Sequence, residues 1–468
     1  MSLSRLDLVT AVGDACDLGN GAIFVGAGMS KAAGLPDWVG LLEVPQRESD
    51  VPNSPEMMAD LPLLAEYILV EGQYTRERLE QHILQQVHTM DADPTAMHRA
   101  LARLPVDQIW TTNYDPLIEQ AAETSRVISV DDDIQLIGAS RQVIIKMHGS
   151  IDPGPPPQWA SAPVITRSDF ETYETDHRRT WAMLQASYLS KTFLFLGFSF
   201  ADPNVEILQR LSRIHGTAAG NRHVTIMRRP SDAEPEVQRF HDLRVRDLEA
   251  TGVRVHEIDE FAELDPILTA LVRRTRPPRL FISGSDKGVG NHNECCIAIA
   301  QSLADKTAWE LCSLGGHSGW RTSQAVARIQ RAEGTYKAAS LVFHFRRKAG
   351  APPEMDERVG TAVFTDLERE PLVHGLLDES RAVLVIAGGD RTREEIEWST
   401  SYGAGVVPLA TSGGAAYEYW ERHKSAPPDL GGQPTDPRTW QRLGFDDPIV
   451  AARAAASLLE QAMYSTGT

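Results

Sequence analysis

Three short clusters carry the residues best suited to chemistry on a bound phosphate-bearing molecule: Gly26-Ala27-Gly28-Met29-Ser30, Thr111-Thr112-Asn113-Tyr114-Asp115 and His148-Gly149-Ser150. Gly26 and Gly28 permit close turns that bring backbone N–H groups and the Ser30 hydroxyl toward a phosphate. Taken alone, this cluster fits a plain structural turn as well as a phosphate cradle. Asn113 offers a donor and an acceptor on one short amide, enough to hold ribose hydroxyls or an attacking water. For the Asn113–Asp115 pair, turn formation and chemistry stand equally open. His148 suits exchange of a proton near neutral pH or orientation of a sugar hydroxyl, with a satisfied structural histidine as the alternative. A fourth cluster, Gly197-Phe198-Ser199-Phe200-Ala201-Asp202, closes the pocket: Gly197 allows close backbone approach, Ser199 is a binding contact, and Asp202 suits a helix start better than acid–base work. Trp38 reads either as an aromatic wall or as core.

Each cluster follows an apolar run, and the runs define the elements that must hold it. Ala22–Val25, Gln108–Thr111, Val143–Lys146, Thr192–Leu196 and His223–Met227 read as buried strands separated by helical patterns. That rhythm predicts a parallel α/β sheet with the clusters at its carboxyl edge, where open α/β folds bind ligands. The patterns PEMMADLPLLAEYILVEG and RERLEQHILQQVH predict helices covering the pocket, and Asp152–Pro157 predicts a stiff surface loop. RRTRPPR at Arg273–Arg279 marks a seam, giving domains 1–275 and 276–468. Beyond it the strand rhythm restarts in RLFISGS, WELCSLGG, ASLVFHF, AVLVIAGG and GVVPLA, a second Rossmann-like sheet. VAARAAASLLEQAM supplies a terminal helix, separated from its predecessor by the proline-bearing APPDLGGQPTDPRTW.

The 468 residues exceed what one core usually serves, and 42% hydrophobic content fills two. A net charge of -18 argues against broad attraction to nucleic acid or to anionic membranes. The partner is expected to be small or proteinaceous. Cys16, Cys295, Cys296 and Cys312 have no disulfide or zinc spacing, so no metal is expected, and the adjacent pair reads as buried small residues. The start lacks a secretion signal pattern, and no run reaches membrane-spanning length, so cytoplasmic residence is the expectation.

With GAGMS, TTNYD, MHGS and GFSF in this order, the first domain resembles the sirtuin-like NAD-consuming family. The resemblance implies that Asn113 and His148 line a catalytic NAD pocket, while Gly26, Ala27, Ser30 and Asp115 bind or organise the nucleotide. Deacylases of that family add a four-cysteine zinc module, which this chain lacks. The departure shifts the expectation toward NAD hydrolysis, with water as acceptor and Asn113 positioning it. The second domain resembles SLOG nucleotide-sensing domains in RLFISGSDKG, CSLGGHSG, LEREPLVHGLLDES and VIAGGDRTREEIEW. That likeness points to Gly284, Ser285, Gly315, Gly316, Gly388, Gly389 and Thr392 as loop contacts, Arg369 and Arg393 as phosphate partners, and Glu397 as a ribose acceptor. The combined order resembles the NAD-hydrolysing effectors of bacterial Thoeris antiphage defence. It implies NAD as substrate, a cyclic ADP-ribose isomer as activator, a homotetramer, and a signal-producing TIR-domain protein as functional partner. A protein deacylase and a noncatalytic nucleotide-responsive scaffold are the alternatives.

Overall fold

GAIFV, QIWT, VIIK and TFLFL are apolar runs too short for stable helices, and each becomes an inner strand whose residues are almost wholly buried. In the computed structural model the described residues are 3–88, 92–122, 124–198, 200, 223–231, 233–286, 291–347 and 359–464. The chain divides into two compact units, residues 1–271 and 272–468.

The strands of the first unit, in chain order, are β1 (Gly21–Val25), β2 (Gln108–Thr111), β3 (Arg126–Ile128), β4 (Val143–Lys146), β5 (Ser150–Asp152), β6 (Gln158–Ser161), β7 (Thr192–Leu196), β8 (His223–Arg228) and β9 (Val253–Ile258). Seven of them form one parallel sheet in the order β3-β4-β2-β1-β7-β8-β9. The chain leaves β1 toward β2 on one side and returns to β7 on the other, so the β1/β7 boundary is a topological switch point. The Asp152–Pro157 segment, expected as a plain loop, carries the turn of the antiparallel hairpin β5–β6.

The helical patterns between the first two clusters become Trp38–Glu48, Pro55–Ala59, Leu61–Val70 and Arg76–His88. Asp60 separates the middle two: its carboxylate accepts from the Leu63 N–H at 3.0 Å and caps the helix it starts. These helices share a core of Leu42, Leu64, Ile68, Leu79 and Ile83, which also takes in Tyr114 and Ile165. This cap therefore packs on the residue next to Asn113.

In the second unit β10 (Arg279–Ser285), β11 (Glu310–Ser313), β12 (Leu341–Arg346), β13 (Thr361–Thr365), β14 (Ala382–Ala387) and β15 (Gly405–Leu409) form a second parallel sheet, ordered β13-β12-β11-β10-β14-β15. The alanine-rich helix Pro448–Tyr464 and the helix His292–Leu303 enter the same core, through Ala451, Ala455 and Leu459 on one and Cys295, Cys296 and Ile299 on the other. All four cysteines are buried and unbridged. The division between units falls inside the helix Leu264–Arg274, a few residues before the expected seam. The seam itself is fastened to the second unit, because the Arg381 guanidinium donates to the carbonyls of Arg273, Arg274 and Arg276. No helix among the described residues is long and apolar enough to cross a membrane.

Candidate functional site

Strand register sets the geometry of the first unit's site. Val25 lies opposite Thr111 on one side and Leu196 on the other, and Thr111 lies opposite Lys146. The four clusters thus leave the sheet at one level and at one edge. The Gly26 N–H donates to the Leu196 carbonyl and the Gly28 N–H to the Gly197 carbonyl, both at 2.9 Å. A Cβ on Gly26 would stand 2.6 Å from the Gly197 oxygen, and one on Gly197, at φ +60°, 2.5 Å from the Met29 nitrogen. The glycines are needed so that one loop can lie against the other. Their role differs from the expected phosphate cradle at this point, since the N–H groups of Gly26 and Gly28 are already bonded to carbonyls. Ala27, half-buried, opens the short helix Ala27–Lys31.

Ser30, Asn113 and Asp115 are brought together as one buried hydrogen-bonded chain. Asn113 Nδ2 donates to Ser30 Oγ at 2.9 Å and to the Gly26 carbonyl at 3.2 Å, and Ser30 Oγ donates to Asp115 Oδ2 at 2.7 Å. Asp115 Oδ1 accepts the Leu117 N–H at 3.1 Å, bracing the turn that leads into the helix Leu117–Ala121. Asp115 thus orders the turn, with both oxygens engaged. Asn113 Oδ1 is buried and has no hydrogen-bond partner among the described residues. Leaving such an acceptor unmade costs about 1–3 kcal/mol, so it marks a place where a ligand hydroxyl or a water is to be received.

His148, two residues beyond β4, is 4% exposed. Its ring meets Phe170 edge-on at 5.1 Å and Tyr173 at 6.2 Å, and its carbonyl accepts the Val164 N–H at 2.9 Å. Phe170 also meets Trp38 edge-on at 5.9 Å, so Trp38 belongs to the aromatic surroundings of His148. Ser199 and Asp202 lie outside the described residues. Sequence reasoning missed Lys146, whose ammonium is buried beneath the Asn113 turn and donates to the carbonyls of Tyr114 at 2.9 Å and Asp115 at 2.6 Å. The signal available was a lysine ending an otherwise apolar strand. No group of metal-ligating side chains occurs among the described residues.

In the second unit a cavity of about 980 Å³ opens at the carboxyl edge of the sheet. Of the residues singled out in the sequence, Gly284, Ser285, Gly316, Arg369, Gly389 and Thr392 line it, together with Phe345, Arg346, Arg347, Phe364 and Glu395, which sequence reasoning missed. Gly284, at φ +138°, leaves no room for a Cβ, which would fall 2.0 Å from the Ile386 carbonyl oxygen. Gly315 sits behind this lining, where a Cβ would overlap the Phe345 ring. Arg369 is held by Glu395 at 2.9 Å, by Glu394, and by the Arg391 carbonyl at 2.6 Å. Gly388 and Arg393 line a separate cavity of about 710 Å³, which Gly389 also borders. There Arg393 is engaged by Glu418 at 2.7 and 2.8 Å and by Asp390. Glu397 is exposed and lines neither cavity. Two residues on a helix turn a side chain by about 200°, so Glu395 faces the cavity where Glu397 was expected.

A model of the SIR2-like domain matches residues 107–248. An NAD(+) hydrolase ThsA from Enterococcus faecium is 34% identical over 299 residues, 59% of this chain and 60% of that protein. A ThsA from Bacillus cereus (strain MSX-D12) is 32% identical over 280 residues, covering 57% of this chain and 56% of its own length. The chain thus matches less than two thirds of the length of these two relatives. A ThsA from Cytobacillus dafuensis is 31% identical over 446 residues, 86% of this chain and 85% of the relative.

Proposed function

Because this chain belongs to the ThsA family of NAD(+) hydrolases, sharing 31% identity with one member over 86% of its length, we propose that its first unit hydrolyses NAD to nicotinamide and ADP-ribose. The observation that carries this reading is the buried Asn113 Oδ1, without a partner among the described residues, beside the Ser30–Asp115 hydrogen bond. In this reaction the bond between ribose C1′ and the nicotinamide nitrogen breaks, the electron pair leaves with neutral nicotinamide, and positive charge develops on the ribose. Water adds at C1′ and gives up a proton. Asn113 Oδ1 accepts from that water or from a ribose hydroxyl, while Nδ2 stays bound to Gly26 and Ser30, so the amide cannot swing away. His148 orients a ribose hydroxyl or takes the proton. The helical cap keeps bulk solvent from the developing cation.

The second unit is read as a SLOG-type sensor, its ligand a cyclic ADP-ribose isomer. Arg346, Arg347 and Arg369 suit a pair of phosphates, and Phe345 and Phe364 suit an adenine face. Ligand binding there raises hydrolysis in the first unit as a coupling between two sites. The family resemblance supports a cytoplasmic homotetramer that acts in antiphage defence beside a TIR-domain signal producer.

Purified protein is incubated with NAD, with and without cyclic ADP-ribose and its isomers. Nicotinamide and ADP-ribose without any acyl acceptor establish the hydrolase, a requirement for acyl-lysine peptide establishes a deacylase, and unchanged NAD under every condition establishes a scaffold. Asn113→Ala and His148→Ala lose most turnover while staying folded. A folded variant with wild-type turnover at saturating NAD removes that residue from the chemistry.

A further inference from the structure

We infer that Lys146 is a positioning residue for this hydrolysis, fixing the turn that presents Asn113; the inference rests on the NAD-hydrolase reading. Lys146 ends β4 opposite Thr111, the residue that leads into the Asn113 turn. Its side chain is wholly buried, and its three donors meet three acceptors: the Tyr114 carbonyl at 2.9 Å, the Asp115 carbonyl at 2.6 Å and Glu119 Oε1 at 2.6 Å.

Burying an ammonium is unfavourable unless it is paired and fully hydrogen-bonded, and an apolar chain of similar length fills such a space more easily. What the cation does here is hold two consecutive carbonyl oxygens on one side of the turn. With the backbone oxygens drawn to Lys146, the Tyr114 ring goes to the cap, where its hydroxyl donates to the Val164 carbonyl at 2.7 Å. The side chains of Asn113 and Asp115 are left to meet Ser30. The counterion comes from the helix whose first N–H Asp115 binds, so the turn, that helix and the cation lock one another. A misplacement of about 1 Å at a group that orients a reactant costs on the order of a hundredfold in rate, which makes such a lock consequential for turnover.

The test compares full-length wild type with Lys146→Met/Glu119→Gln, which removes both buried charges, and with Lys146→Gln, which keeps a donor for one carbonyl and serves if the double variant does not fold. For each folded protein, kcat and KM for NAD are measured with cyclic ADP-ribose isomers present, alongside amide hydrogen exchange of the peptide spanning residues 111–118. The inference expects kcat at least tenfold below wild type, KM within about threefold, and faster exchange confined to that peptide. A structural role alone lowers the melting temperature and leaves kcat per folded molecule unchanged, and that result overturns the inference. Unchanged exchange at residues 111–118 also overturns it, independently of any turnover. If wild type itself releases no nicotinamide, the hydrolase reading fails, and the exchange data then decide whether Lys146 fixes the turn.

Discussion

Replacing Gly197 with alanine tests the contact that joins the β1 and β7 loops. Gly197 holds φ +60°, and a Cβ there would lie 2.5 Å from the Met29 nitrogen and 2.9 Å from the Gly28 carbonyl carbon. Both neighbours are backbone, so neither yields by a rotamer change. The left-handed conformation costs an alanine about 1–2 kcal/mol, and relieving the overlap costs about 1–3 kcal/mol more. A total of about 2–5 kcal/mol, at about 2 °C per kcal/mol in a unit of this size, lowers the melting temperature by about 4–10 °C. The relief must also stretch the 2.9 Å bond from Gly28 to Gly197, moving the segment that carries Ser30 and loosening the hold of Ser30 on Asn113. Thermal melting of the full chain, followed by NAD turnover at a temperature where the variant is folded, reads both effects. We expect a lower melting temperature and a kcat reduced several-fold. A variant that melts within 1 °C of wild type and turns over NAD normally would refute the steric argument and the link from this loop to Asn113.

Two further outcomes follow from the second unit. Arg369→Ala is expected to weaken binding of cyclic ADP-ribose isomers at least tenfold in calorimetry and to raise the concentration needed for activation, whereas Glu394→Gln, which releases one ion-pair partner of Arg369, is expected to tighten it; unchanged affinity in both removes Arg369 from the ligand site. Burial pushes the thiols of Cys295 and Cys312 up to about 12 and that of Cys296 up to about 11, so all three stay protonated and inert. Iodoacetamide at pH 8 is expected to leave them unmodified in the native protein and to label them in urea, as mass spectrometry of their peptides would show; native labelling within minutes refutes the burial.

Most inner strands were legible because they are buried along their length and read as apolar runs, although Leu341–Arg346 is buried only in part, and parallel pairing then placed the residues after them at one edge. Of the four edge strands, Gly405–Leu409 gave the same signal and the others did not. Arg126–Ile128 is exposed at its start, Val253–Ile258 is only intermittently buried, and Thr361–Thr365 is mostly exposed, so their sequences resemble surface segments. Asn113 and Ser30 were legible as polar residues at strand ends, but their bond joins positions 83 residues apart, a separation that a linear pattern does not encode. Lys146 escaped because a lysine at a strand end usually reaches solvent, and only the folded turn shows what it serves. Among the candidate residues of the second unit, Arg369 and Arg393 looked alike in sequence. The fold sends them to different cavities, and helical phase decides between Glu395 and Glu397.

The carboxylates around Arg369 give the second unit a property beyond recognition. An arginine already held by Glu394 and Glu395 is no open hook for whatever anion drifts by. A tethered carboxylate competes at an effective concentration in the millimolar range or above. Free phosphate, which offers one kind of contact, is a poor competitor against it. A ligand that meets several lining groups at once has enough contacts to carry out the exchange. If the proposed activation holds, in a protein whose output would be the loss of a central metabolite, such a threshold would guard against false alarms: the internal ion pairs of Arg369 would have to be exchanged for contacts with the ligand.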